Sequence, residues 1–312
     1  MPPASLPSSP ARSSIALALA TIYLIWGSTY LANKYAIESL PPFFMPGARF
    51  LIAGILLSLW LAFRGARRPT RRQILDNVFI GQLLLVGGTG LVVFGQQFIP
   101  SGLTALIIGA SPLFFVLVEW AWPGGQSPTP VVGAALLLGF SGVAWLAAPW
   151  KSVSAGGLQL TPTLIILTGS VIWAIGSIYS RHIRDRASPL VGAAIQMLAG
   201  GAMLLLVSNL RGEWSAVSID LVSLESLAAF VYLIVAGSLI AFPTFVFLMQ
   251  HCAPATVSTY AYVNPVVAVA LGWLVANEPV GPRTIVSATV ILAAVAIITL
   301  QKPRPAKSAR PA

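Results

Sequence analysis

NVFIGQLLLVGGTGLVVFGQQFIPSGLTALIIGASPLFFVLV, residues 77–118, separates Asp76 from Glu119 without one Asp, Glu, Lys, Arg or His. A helix crosses the hydrocarbon of a bilayer with about twenty apolar residues at about 1.5 Å of rise each, so the stretch is two spans long. Pro100 and its neighbours interrupt it and leave almost no loop, which predicts a tight helical hairpin of spans near 77–98 and 101–121. In lipid every backbone N–H and C=O needs an internal partner, and helices supply one segment by segment.

The same reading along the rest of the chain gives ten candidate spans. The other eight lie near 15–34, 43–63, 131–149, 163–181, 190–209, 226–249, 256–276 and 283–300. Composition agrees: of 312 residues, 57% are hydrophobic and 8% charged, against about 25% charged in an ordinary soluble domain. The fold class is all-α integral membrane protein, with residues 1–14 a Pro/Ser-rich flexible tail and 301–312 a basic cytoplasmic tail.

The net charge of +10 does not mark a nucleic-acid partner, because the basic residues sit in clusters separated by long apolar runs. Arg64, Arg67, Arg68, Arg71 and Arg72 form one cluster, Arg181, Arg184 and Arg186 a second, and Lys302, Arg304, Lys307 and Arg310 a third. With the N-terminus in the cytoplasm, these and Arg12 place thirteen Lys/Arg inside. Lys34, Lys151, Arg211 and Arg283 fall outside, and Arg49 lies within a span. That asymmetry predicts both termini cytoplasmic. The single cysteine, Cys252, rules out an intrachain disulfide.

The halves of the chain repeat each other. Gly27-Ser28-Thr29-Tyr30 matches Gly176-Ser177-Ile178-Tyr179, with Trp26 and Trp173 just upstream. Pro42 and Ala53-Gly54 match Pro189 and Gly200-Gly201, an alignment that pairs Arg49 with Gln196. Gln97 matches Gln250 and Ser111-Pro112 matches Asn264-Pro265, both at an offset of 153. Five helices per half is an odd number, so the second half is expected upside down. Two inverted five-helix repeats, 15–149 and 163–300, are the arrangement many secondary transporters use to alternate access around a midplane site.

The stretch IWGSTYLANKYAIESLPPFFMPGARFLIAGILL (residues 25–57), the run Thr259-Tyr260-Ala261-Tyr262-Val263-Asn264-Pro265 and the following Asn277-Glu278-Pro279 resemble the drug/metabolite transporter superfamily. More narrowly they resemble its ten-helix EamA-type exporters. The resemblance covers about residues 15–300. It implies an EamA-type repeat in each half, a bacterial inner membrane setting, and export of small metabolites, amino-acid-like compounds or drugs. It implies no cofactor. The family's acidic residue after the fourth helix of a repeat corresponds to Glu278 in the second half, whereas the aligned first-half position is Gly125.

Candidate substrate-binding residues are Trp26, Ser28, Tyr30, Arg49, Ser111, Trp173, Tyr179, Tyr260 and Asn264. Trp26, Ser28, Tyr30, Trp173 and Tyr179 offer aromatic faces and hydroxyls to a path through the bundle, or else serve helix packing. Pro112 and Pro265 lie midway along their spans and each releases a carbonyl, so Ser111 and Asn264 either satisfy a packed kink or contact substrate. Gln96, Gln97, Gln196 and Gln250 are expected mainly as interhelical glue. Arg49 is placed roughly 10 Å along its helix from the outer end. It either anchors an anionic group, snorkels to the headgroups or caps a neighbouring helix. Glu119 is the only acid well inside a span.

Other classes find little footing. No GK[ST] phosphate loop, HExxH or G-x-S-x-G occurs, and His182 and His251 stand apart, so an ATP motor, a metal site and an intramembrane enzyme are disfavoured. A channel or a receptor-like scaffold is the remaining alternative to a carrier. The expected partners are a small-molecule substrate and the bilayer, with the chain a monomer or homodimer.

Overall fold

The computed structural model describes residues 11–125, 127–147 and 160–300. Every regular element among them is helical. The helices are α1 (Arg12–Ser39), α2 (Phe44–Phe63), α3 (Arg71–Gln96), α4 (Ser101–Ala121), α5 (Pro130–Ala147), α6 (Leu160–His182), α7 (Pro189–Leu210), α8 (Leu224–His251), α9 (Tyr260–Ala276) and α10 (Pro282–Leu300).

Seven of these, α1 to α4 and α6 to α8, are long and apolar enough to cross a membrane; α5, α9 and α10 are shorter apolar helices. The α9 segment is shortened because residues 254–257 form a separate turn and the chain bends at Ser258 and Thr259 before the helix proper. The first span extends further than expected in both directions. Its 28 residues begin at Arg12 and end at Ser39, which leaves only residues 40–43 as the connection to α2. The flexible tail expected over 1–14 therefore loses residues 12–14 to α1. Residues 1–10, residues 148–149 of the fifth expected span and the basic tail 301–312 lie outside the described residues.

Local sequence explains several helix ends. Thr70 caps α3 in a capping box, accepting from the Gln73 N–H while Gln73 reaches back to the Thr70 N–H, an arrangement that satisfies two orphan donors. Ser223 caps the start of α8 through the Ser226 N–H. The α4 helix breaks at Gly109 and Ala110. Pro112 cannot donate to the Ile108 carbonyl four residues back, and the Ser111 hydroxyl takes that carbonyl at 2.5 Å instead.

The helices pair in a pattern that exchanges the two halves. α1 packs on α8 and α9, while α6 packs on α3 and α4; α2 packs along α7, and α5 along α10. The α2–α7 approach is close: a Cβ on Gly201 would meet the Leu51 backbone nitrogen at 2.5 Å. α3 and α8 each contain nine residues of π-helix, Gln82–Gly90 and Leu233–Ala241, a rare geometry associated with functional sites.

Connections gather at two ends. At one, the Glu213 carboxylate accepts from the Phe43 and Phe44 N–H groups, Ser39 meets Ser223, and Glu278 meets Lys34 and Ser101. At the other, Asp185 accepts from Thr70 and Gln73, Gln250 donates to the Ala187 carbonyl, and Trp122 stacks on His182. Basic residues of the first two clusters lie at this second end.

Candidate functional site

Helical periodicity carries Trp26, Thr29 and Tyr30 of α1 onto one face, at positions i, i+3 and i+4. That face closes one side of a central cavity of about 100 Å³. Arg49 and Phe50 come from α2, Thr89 from the π-helical part of α3, and Ser111 from just beyond the break in α4. Ser170 and Trp173 come from α6, Gly237 and Phe242 from α8, and Tyr260 from the first turn of α9. Both halves contribute wall.

The aromatic part of the lining is one cluster. Trp26 meets Trp173 edge to face at 5.7 Å between ring centroids, Tyr260 edge to face at 5.3 Å, and Phe245 at 5.0 Å. Such pairs contribute about 0.5–1.5 kcal/mol beyond area burial and fix ring orientation. The Trp26 and Trp173 rings are the positions the repeat alignment equates.

Most polar groups of the lining are already engaged. Thr29 donates to the Trp26 carbonyl, Ser111 to Ile108 and Ser170 to Ile166, each within its own helix, a bonding mode that spends the hydroxyl on the backbone. Arg49 is different. It is 4% exposed, and its Nε donates to Ser238 Oγ at 2.7 Å while Nη1 reaches Asn33 Oδ1 at 3.5 Å. Its guanidinium lies 4.8 Å from the Phe50 ring centroid. Gly237 makes room for the fork, since a Cβ there would fall 2.5 Å from Nη2. The side chain turns into the bundle, toward α1 and α8, so neither snorkelling nor capping of a carbonyl describes it.

Six of the nine residues singled out in the sequence meet at this cavity: Trp26, Tyr30, Arg49, Ser111, Trp173 and Tyr260. Ser28 does not. It points to the opposite face of α1, bonds the Tyr232 hydroxyl at 2.5 Å, and lines an outer groove with Tyr35 and Glu38. Tyr179 lies at the second end, bonded to Asp76 at 3.4 Å and packed edge to face on Phe79. Asn264 is buried behind the lining. With its amide assigned by its partners, its nitrogen donates to the carbonyls of Tyr23 at 2.9 Å and Tyr260 at 3.1 Å. It therefore braces α9 against α1.

Phe50, Thr89, Ser170 and Phe242 were missed, as were Asn33 and Ser238, which hold Arg49. Stepping three or four residues along α1 from Trp26 finds Thr29 and Tyr30 and excludes Ser28; no comparable signal marks Ser238, because π-helix shifts the register. Gln96 bonds the Tyr30 carbonyl at 2.6 Å and Gln250 the Ala187 carbonyl at 3.2 Å, interhelical contacts of the expected kind. Gln97 bonds only the nearby Phe94 carbonyl. Gln196 bonds Asn77 at 2.7 Å across α7 and α3. Glu119 is exposed near the end of α4.

At the first end, Glu278 is 8% exposed and joins three elements. It takes the Lys34 ammonium at 3.1 Å, the Ser101 N–H and hydroxyl at 2.9 Å each, and the Gly102 N–H at 3.0 Å. Burial pushes its pKa up, but the Gly102 and Ser101 donors and Lys34 outweigh this and hold it below the ordinary carboxylate value of 4.5. The aligned first-half position, Gly125, admits no side chain: a Cβ there would collide with the Glu119 carbonyl oxygen.

A helical bundle with apolar faces turned outward and a central cavity walled mainly by apolar and aromatic residues, with Arg49 among them, defines an integral membrane protein built to handle a small molecule. The profile of the EamA-like transporter family matches residues 13–148 and 160–300, and the chain belongs to that family. It is 37% identical over 291 residues, 91% of this chain and 90% of the relative, to the uncharacterized inner membrane transporter YedA of Escherichia coli K12. It is 26% identical over 274 residues, 83% of this chain and 80% of the relative, to an S-adenosylmethionine/S-adenosylhomocysteine transporter of Chlamydia trachomatis. A solved crystal structure superposes with a TM-score of 0.67 at 23% identity, covering 93% of this chain and 98% of that one, and so shares the fold.

Proposed function

We propose that the protein is a secondary transporter that exports small metabolites, amino-acid-like compounds or drugs through a bacterial inner membrane. In this reading it alternates access to the central cavity, ten helices crossing the membrane as two inverted five-helix repeats with both termini cytoplasmic. The observation that carries it is the cavity itself, walled by both halves at their contact, with the equated residues Trp26 and Trp173 in touch across it.

Three further observations support it. The helix pairing is exchanged between halves, α1 with α8 and α9 against α6 with α3 and α4. The described connections fall at the two ends of the bundle. One relative's name gives it a small-metabolite substrate. Rocking one repeat against the other around a fixed site is how such pairing works in carriers. The Glu278 contacts tie α1, α4 and the segment after α9 at the end proposed to face outside, and would have to part for the cavity to open there. The matching family and the relatives named above are transporters.

The test is exchange without ATP. Purified protein in liposomes loaded with pooled metabolites should exchange one or more of them saturably. Flux that is linear in concentration and shows no exchange would favour a channel.

A further inference from the structure

The described residues form three ion pairs, Lys34–Glu278, Arg72–Asp76 and Arg211–Glu213. Arg49 is in none of them. Among the described residues it is the only Lys or Arg on the cavity wall, and no described Asp or Glu lines that wall with it. A guanidinium that is 4% exposed and has no counter-charge is costly in a bundle surrounded by lipid, and truncating such groups or leaving them unpaired dominates the energetics of buried charge. Ser238 and Asn33 satisfy two of its five donors. They are neutral, so they orient the fork without cancelling its charge.

The remaining lining tells what else the occupant carries. Trp26, Phe50, Trp173, Phe242 and Tyr260 present apolar and aromatic surface. The hydroxyls of Thr29, Ser111 and Ser170 already donate to backbone carbonyls. A ligand ammonium would meet no opposite charge among the described residues of this wall. Gln196, the residue the repeat equates with Arg49, is neutral and engaged with Asn77 outside the cavity, so the charge is a one-sided feature of the site.

We infer that Arg49 is the anchor for a carboxylate, and that the ligand of this cavity is an organic monoanion with an apolar or aromatic body. The inference rests on the carrier reading for the ligand's transport, but not for its binding. The carboxylate lies against the Arg49 fork, held in place by Ser238 and Asn33, and the body packs among the Trp26, Trp173 and Tyr260 rings. Within the range of substrates proposed above, this favours deaminated acids over amino acids.

Binding and flux can be separated. Three matched triples serve as probes on the detergent-solubilised full chain: 3-phenylpropionate, its amide and phenylalanine; 4-methylpentanoate, its amide and leucine; indole-3-propionate, its amide and tryptophan. Affinity is read from the rise in melting temperature with ligand. At least one acid should bind about ten- to a hundredfold tighter than its amide, the difference expected of a charge-assisted pair. Arg49→Gln should abolish that preference, and Arg49→Lys should keep part of it, having the charge without the bidentate fork. The acid–amide comparison on the unaltered chain decides the matter even if Arg49→Gln does not fold. Equal binding of acid and amide in all three triples, or no binding by any acid, would overturn the inference. So would tighter binding of an amino acid than of its deaminated acid, or an equal Arg49-dependent stabilisation by chloride alone. Binding with the expected pattern but no exchange in liposomes would keep the site and remove the carrier.

Discussion

Trp26 and Trp173 touch edge to face at 5.7 Å across the midline of the bundle, one from the first helix of each half. Because both rings also pack on Phe245, neither is free to move alone. Trp26→Ala and Trp173→Ala should each weaken substrate affinity about tenfold, and the double variant should lose less than the sum, since residues in contact do not act additively. The KM of exchange in liposomes checks this. Strictly additive losses would mean that the rings act at separate places.

Glu278 gives the protein a pH dependence of definite sign. Its carboxylate titrates below 4.5 in the folded chain. The stability it contributes is therefore fully present above the ordinary carboxylate value and is lost as pH falls through the lower folded value. Glu278→Gln should melt lower than the unaltered protein at pH 7, and the gap should begin to narrow as the pH falls below 4.5 and go on narrowing at lower pH. A gap that stays constant over that range would assign the effect to shape rather than charge.

Packing predictions follow from two glycines. Gly201→Val should force α2 from α7, because its Cβ would sit 2.5 Å from the Leu51 nitrogen; overpacking of this kind costs about 1–3 kcal/mol. Gly133→Ala meets nothing within 4 Å and should be neutral or raise stability, since alanine is the better helix former by up to about 1 kcal/mol. Melting of the two purified variants compares them directly.

Orientation is open to labelling. With Cys252 replaced by serine, a single cysteine at Ser215 should react with an impermeant thiol reagent on intact cells, and one at Ala66 should not. The opposite pattern would turn the topology over.

Much of this architecture is written in the sequence because lipid enforces it. Apolar length and loop charge specify helices and their ends, and residues 77–118 needed no other argument. The cavity was legible where helical periodicity governs, as at Trp26, Tyr30 and Trp173. It was misread at Ser28, two residues from Trp26 and so on the other face of α1, and at Tyr179, nearly two turns past Trp173. Asn264 shares the Tyr260 face one turn on, but the Tyr23 carbonyl captures its amide, a contact between helices far apart in sequence. The Arg49 pocket was hidden for a similar reason: Ser238 reaches it from a π-helical segment whose register no local pattern announces.

The central claim is that this cavity is carried between two exposures, and counterflow tests it most directly. Liposomes holding the purified protein are loaded with an unlabelled substrate at high concentration, and a trace of the labelled compound is added outside without ATP or an ion gradient. A carrier predicts transient accumulation of label above its equilibrium level, absent from protein-free vesicles. Monotonic entry to equilibrium, unaffected by the internal pool, would contradict alternating access.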